Sequence, residues 1–206
     1  MLSEKNNVKK LAGGKLAGGN PASGRVQNDY YATDPVAVKM LLHKYPFNAG
    51  SILEPCVGGG HIAKTLKEHF RDSAEITCID IVDRGYPGTI VQDFLSWETD
   101  KLFDGIITNP PFSQAQEFIE KSFSLLSDGG KMAFFLKIQF LEGAKRKSFF
   151  EDHPPKYIYV FRNRMAVWNN GNEVNPDTGK KWATTMCFAW FCWEKGNISD
   201  PVVKWL

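Results

Sequence analysis

Between residues 51 and about 150, short apolar runs of strand character alternate with stretches whose apolar residues recur at helical spacing. Strands are predicted at Ser51–Cys56, Glu75–Val82, Thr89–Leu95, Phe103–Thr108 and Lys131–Phe140. The last is apolar throughout Met132-Ala-Phe-Phe-Leu, as a strand covered on both faces should be. Helices are predicted after the first strand, with Ile62, Ala63, Leu66 and Phe70 on one face, and over residues 113–126, with Ala115, Phe118, Ile119, Ser122 and Leu125. A further helix begins near Glu142-Gly143 with Lys145, Arg146 and Lys147 in its first turns. Strand and helix in alternation imply a parallel sheet with right-handed crossovers. Ahead of it, Asp34 suits an N-cap and Pro35 the first position of a helix running to about Tyr45. Two more strands, Lys156–Arg162 and Ala183–Glu194, follow the alternating part and pair as an antiparallel hairpin.

The ends and the connections differ in kind from this core. Residues 1–28 repeat Lys-Leu-Ala-Gly-Gly directly, at 10–14 and 15–19, and carry five cations against Glu4 alone. Such a segment buries too little apolar surface to offset its ordering entropy, so a flexible basic tail is expected. It is either a solubilising arm or a sliding contact to nucleic-acid phosphates. The remainder, 29–206, is expected to form one domain. Residues 163–182 read as a long polar loop, with Asn169-Asn-Gly-Asn and Asn175-Pro-Asp-Thr-Gly turn signals. Arg162, Arg164, Trp168, Lys181 and Trp182 make it the candidate for substrate recognition. The cations at Lys145 and Arg146 oppose a helix dipole, and this local cost points to phosphate contact as readily as to a solvated face.

Composition narrows the classes. No apolar run reaches the roughly 20 residues of a membrane span, and residues 1–10 lack the apolar centre of a signal peptide. The four cysteines form no Cys-x-x-Cys pair and lie within apolar runs, which predicts buried thiols in a reducing cytoplasm. The four histidines show no ligand spacing, so no metal is expected.

Two stretches carry candidate chemistry. Ile52-Leu-Glu-Pro-Cys-Val-Gly-Gly-Gly-His-Ile-Ala63 is a strand, a glycine turn and a helix start, a general nucleotide-binding arrangement. Glu54 in the turn suits a cationic amine or sulfonium better than a pyrophosphate, and no Lys-Ser/Thr follows the glycines as a phosphate loop requires. Phe103-Asp-Gly-Ile-Ile-Thr-Asn-Pro-Pro-Phe112 is a strand stopped by a Pro-Pro pair, leaving an amide and an aromatic ring at its tip.

Together the two stretches resemble the S-adenosylmethionine loop and the Asn-Pro-Pro-aromatic motif of methyltransferases acting on exocyclic amines. The likeness covers residues 30–195, and its layout looks like that of compact DNA N6-adenine methyltransferases of phages and prophages. It implies a Rossmann-like class I methyltransferase, an α/β fold with a seven-stranded, mostly parallel sheet closed by the antiparallel hairpin. S-adenosylmethionine is then the cofactor, and Glu54, Pro55, Gly58 and Gly60 form its loop. By the same likeness Asp80 (or, failing it, Asp83) accepts the ribose hydroxyls, and Asp93 with Phe94 attends the adenine. Tyr31, Thr33 and Asn109 complete the cofactor set, Tyr31 and Thr33 lying in a segment like one that holds the methionine end. Asn109, Pro110 and Phe112 are the implied catalytic residues. Lys145, Arg146, Arg162, Arg164, Trp168 and Lys181 are the expected contacts to a nucleic-acid partner, DNA first, with the enzyme a cytoplasmic monomer. Phe112 stands where DNA enzymes commonly have Tyr and related RNA enzymes have Phe. RNA adenine, DNA N4-cytosine and protein glutamine are therefore the alternative acceptors, and a catalytically inactive nucleic-acid-binding homologue is the alternative outside enzymes.

Overall fold

The computed structural model describes residues 30–206; the expected basic tail lies outside them. Eight strands form the main sheet: β2 (Ser51–Glu54), β3 (Glu75–Asp80), β4 (Thr89–Val91), β5 (Phe103–Thr108), β6 (Leu126–Lys137), β7 (Tyr157–Val160), β9 (Phe188–Glu194) and β10 (Val202–Trp205). Their order is β10-β7-β9-β6-β5-β2-β3-β4. Only β9 runs against its neighbours, β6 and β7; the other pairings are parallel. The expected mostly parallel sheet with its closing antiparallel hairpin is therefore present.

Period-2 alternation explains why these runs become strands covered on both faces. Leu53, Ile106, Met132, Phe134, Phe191 and Trp193 point to one core, shared with α3 (Ala115–Leu125) and α4 (Lys147–Asp152). Ile52, Ile107, Ala133, Phe135, Trp190 and Cys192 point to the other, shared with α1 (Pro35–Lys44) and α2 (His61–Phe70). The α1 start is as expected: Pro35 opens the helix and the Asp34 carboxylate accepts from the Val36 amide at 2.8 Å. Trp190 anchors the helix to the sheet by donating its indole N–H to the Ala37 carbonyl at 3.0 Å.

Three features differ from the sequence reading. The sheet has eight strands rather than seven, because Val202–Trp205 adds to β7 in parallel. That strand is an edge with Val202, Val203 and Trp205 exposed, so it lacks the continuous apolar signature of its buried neighbours. Residues 163–182 are not one open loop: β8 (Val167–Asn169) pairs antiparallel with β1 (Tyr31–Thr33), forming a separate two-stranded sheet. Lys145 and Arg146 lie in a 3-10 turn, Ala144–Arg146, before α4 rather than in its first turns. Arg146 is nonetheless the N-cap of α4 and Lys147 its first residue, so cations still adjoin the positive end of the helix dipole.

Candidate functional site

Because β2 sits between β3 and β5, the carboxyl ends of these three strands are side by side. The chain leaves β2 toward β3 and β4 and returns to β5 on the opposite side, so a switch point lies between β2 and β5, where crevices for ligands open. The glycine turn and the Asn-Pro-Pro-Phe corner meet there.

The turn needs its glycines. Gly58 and Gly60 have φ of 52° and 82°, backbone that L side chains rarely adopt. A Cβ at Gly58 would fall 2.2 Å from the Tyr30 ring, and one at Gly60 would fall 2.0 Å from the Tyr86 ring. Asp80, at the end of β3, ties the turn to the neighbouring strand. One carboxylate oxygen accepts from the Gly58 amide at 2.8 Å and the other from the Val82 amide at 3.0 Å. A carboxylate has about four lone-pair positions, so acceptor capacity remains for a further hydroxyl donor. Pro55 is buried beneath the turn.

Glu54 is the anomaly of the site. It is 1% exposed, and its Oε2 has no hydrogen-bond partner. Burial pushes its carboxyl well above the ordinary value of 4.5, opposed by the Ala63 backbone amide and reinforced by the Asp80 charge. A buried acid with one unpartnered oxygen fits a cationic donor.

At the other side of the switch point, the Asn109 side chain donates its Nδ2 to the Tyr31 carbonyl at 2.9 Å. A carbonyl can only accept, so this contact fixes which end of the amide is the donor and turns Oδ1 away as a fixed acceptor. Phe112 is half-buried, its centroid 5.8 Å from that of Phe188 and 4.8 Å from the Lys137 ammonium. Beside it opens a depression of about 170 Å³.

Other predicted residues scatter around this centre. Thr33 is 2% exposed with an unpartnered hydroxyl, and Tyr31 contributes its backbone carbonyl. Asp93 follows β4, one strand farther out, and accepts from the Leu95 amide at 3.0 Å. Phe94 is turned into the core against Phe118, with centroids 5.0 Å apart, rather than presenting a face to the crevice. Phe94 thus lies in the turn after β4 with its ring in the core. Arg146 lines the depression beside Phe112, donating Nε to the Phe140 carbonyl at 2.9 Å. Lys145 is exposed. Arg162 reaches the Leu206 carbonyl at 3.3 Å, Arg164 the Thr185 carbonyl at 2.7 Å, and Lys181 pairs with Glu173 at 2.9 Å. Trp168 lies edge-on to His61, with centroids 5.4 Å apart, which places it over the glycine turn rather than beside Phe112.

Two residues without an assigned role belong to the site. The Tyr30 hydroxyl accepts from the Gly59 amide at 2.8 Å and lies 2.8 Å from His61 Nδ1, to which it donates when the imidazole carries its proton on Nε2. Burial raises the Tyr30 phenol and lowers the His61 imidazole, which keeps both neutral in this contact. His61 directly follows the glycines, and that position was its one sequence signal; nothing in the sequence marks Tyr30.

No family model and no curated protein matches this sequence. Solved structures do match. One, named as a class I S-adenosylmethionine-dependent methyltransferase from Listeria monocytogenes, aligns with TM-score 0.56 at 13% identity, over 83% of this chain and 63% of that one. Another, from Agrobacterium tumefaciens, is named as an O-methyltransferase: TM-score 0.60, 14% identity, 84% of this chain and 85% of that one. The fold is that of class I methyltransferases. A type I restriction enzyme modification subunit from Vibrio vulnificus shares it too, with TM-score 0.59 and 14% identity over 89% of this chain. This chain spans only 48% of that subunit's length. Of these three proteins only the one from Agrobacterium tumefaciens is named for its acceptor atom, so within the methyltransferase fold the choice of acceptor must come from local chemistry.

Among the described residues no group of three or more His, Cys, Asp or Glu is placed to hold a metal. Nor is any helix among them long and apolar enough to cross a membrane.

Proposed function

We propose that this chain is an S-adenosylmethionine-dependent methyltransferase acting on the exocyclic N6 amine of adenine in DNA, in the cytoplasm of a bacterial or phage-infected cell. The observation that carries the reading is the Asn109 amide, pinned by Tyr31 with Oδ1 as a fixed acceptor, beside a glycine turn that buries an unpartnered carboxylate oxygen. A type I restriction modification subunit among the structures of the same fold supports DNA by analogy.

The residues present fit the cofactor. Glu54 would meet its cationic end, Asp80 would accept from its ribose, and the glycine turn permits close approach of backbone. S-adenosylmethionine supplies an electrophilic methyl group on a sulfonium. The rest falls to the chain. An exocyclic amine is a poor nucleophile, because its lone pair is delocalised into the ring. Asn109 Oδ1 and the Pro110 carbonyl would each accept one amine hydrogen, favouring the pyramidal nitrogen and gaining strength as positive charge develops there. Because Tyr31 already fixes the amide, little reorganisation is needed at the moment of reaction. Phe112 would orient the base, which in duplex DNA must first be flipped out. No general base is required: the proton lost by the amine can pass to water once the nitrogen is alkylated.

The test is incubation of the protein with methyl-labelled S-adenosylmethionine and, separately, duplex DNA, single-stranded DNA and total RNA, followed by digestion to nucleosides. Label in N6-methyladenine from DNA is the expected result. Label in RNA alone moves the acceptor to RNA, and label in neither overturns a nucleic-acid acceptor.

A further inference from the structure

The depression beside Phe112 has a lining of three kinds. Phe112, Leu136 and Phe140 are apolar, Lys137 and Arg146 are cationic, and Gln139 is the one neutral polar side chain of the lining. The cations can only donate; Gln139 brings a donor and an acceptor without a charge. Its backbone is held on both sides. The Ile138 amide donates to the Cys187 carbonyl at 2.9 Å, and the Gln139 carbonyl accepts from the Glu142 amide at 3.0 Å. Phe140, next in the chain, is buried, and its carbonyl accepts from Arg146 Nε at 2.9 Å. The Gln139 side chain is exposed and makes no hydrogen bond among the described residues. A fixed turn thus sets beside Phe112 an amide that the fold does not use, and rigid placement of this kind is what a recognition group needs.

The contacts proposed above for Asn109 and Pro110 take the two amine hydrogens and nothing else of the acceptor. Any primary amine on a planar carbon satisfies them, that of a protein amide included. Adenine differs in its ring nitrogens, acceptors that lie in the plane of the amine. We propose that the Gln139 side-chain amide donates to a ring nitrogen of the adenine seated on Phe112 and is a specificity-determining residue for the base. The proposal rests on the methyltransferase reading and deepens it, because it names the group that tells the ring from a bare amide. An acceptor without that nitrogen leaves the Gln139 donor stripped of water and unpaired, which is how a polar group rejects an analogue.

The test uses a DNA oligonucleotide that the wild-type protein methylates, with the target adenine replaced in turn by its 1-deaza, 3-deaza and 7-deaza analogues. For one of the three, kcat/KM of the wild-type protein should fall on the order of tenfold further than it does in Gln139→Ala, as for loss of one hydrogen bond. Any effect of the analogue on the amine itself is common to both proteins and cancels in that comparison. On adenine, Gln139→Ala should lose about the same tenfold, with S-adenosylmethionine affinity unchanged. Gln139→Glu should be poorer still, because an ionised carboxylate sets an acceptor against the ring lone pair. Equal penalties in wild type and Gln139→Ala for all three analogues, or Gln139→Glu as active as the wild type, would overturn the base contact while leaving the acceptor assignment intact. Failure of the wild-type protein to methylate any nucleic acid would overturn both.

Discussion

Replacing Gly58 by alanine tests the packing of Tyr30 on the glycine turn, and its effect can be worked from two separable parts. The first is backbone. At φ 52° an L side chain costs about 1–2 kcal/mol. The second is contact. The new Cβ would lie 2.2, 2.8 and 3.0 Å from three Tyr30 ring carbons, well inside van der Waals separation. The ring must retreat, and the Tyr30 hydroxyl then gives up the Gly59 amide and His61 Nδ1, both at 2.8 Å. At roughly 0.5–1.5 kcal/mol net for each bond, that part adds about 1–3 kcal/mol. Gly58→Ala should therefore destabilise the protein by about 2–5 kcal/mol in urea unfolding followed by tryptophan fluorescence. Two controls separate the parts. Gly85 has φ of 79° with nothing within 4 Å of its built Cβ, so Gly85→Ala should show the backbone cost alone. In a Tyr30→Ala background the clash is gone, and Gly58→Ala should likewise cost only about 1–2 kcal/mol. The double-mutant cycle should thus return a coupling of about 1–3 kcal/mol between Tyr30 and position 58. Additivity within about 0.5 kcal/mol would refute the packing of Tyr30 against the turn.

Asn109→Ala should lower turnover by about 10²-fold or more while S-adenosylmethionine affinity, measured by calorimetry, stays nearly constant. Equal loss of both would make its role structural. For Glu54 the sign follows from its raised carboxyl: the folded protein keeps a proton that the unfolded chain has lost, so stability falls as pH rises above about 4.5. Glu54→Gln should then melt higher than the wild type at pH 8 and nearly equally at pH 4, while binding S-adenosylmethionine at least about tenfold more weakly. A wild-type melting temperature that climbs from pH 5 to 8 by the same amount in both proteins would dismiss this assignment. Lys145→Ala should flatten the salt dependence of DNA binding by about one unit, read by fluorescence anisotropy at several salt concentrations, and an unchanged slope removes it from the interface.

What could be read from the sequence follows the range of the interactions involved. The α/β alternation, the Asp34-Pro35 helix start and the neighbouring of the glycine turn with the Asn-Pro-Pro corner depend on local periodicity and topology rules, and the structure has all three. Boundaries were less legible. The Asp128-Gly129-Gly130 sequence reads as a helix stop, yet β6 already begins at Leu126, with a register shift against β5 between Phe103 and Gly105. Strand β8 is three residues long and finds its partner, β1, far away in sequence; no window of either segment contains that pairing. Phe94 and Lys137 illustrate the same limit for side chains. One adjoins a candidate cofactor acid but points into the core, whereas the other ends an apolar strand but lies over Phe112.

The β1–β8 pair also changes how the candidate site should be understood mechanically. Tyr30 immediately precedes β1 and bonds to the glycine turn, and the Tyr31 carbonyl within β1 holds Asn109. Opposite them, Trp168 of β8 pairs with Ala32 and packs on His61. The Asn170 amide donates back to the Tyr30 carbonyl at 2.9 Å. One two-stranded sheet therefore touches the glycine turn, the Asn109 amide and the polar 163–182 segment at once. Contacts that share partners in this way are not energetically independent. A substitution that loosens β8, such as Trp168→Ala, should thus disturb Asn109 orientation and glycine-turn packing together. That outcome is opposite to the one expected if 163–182 were a recognition loop hinged freely on the fold, where a change at Trp168 would alter acceptor binding alone. Measuring S-adenosylmethionine affinity and turnover on the same Trp168→Ala protein separates the two: joint loss supports coupling through the β1–β8 pair, and intact cofactor affinity with only a raised acceptor KM contradicts it.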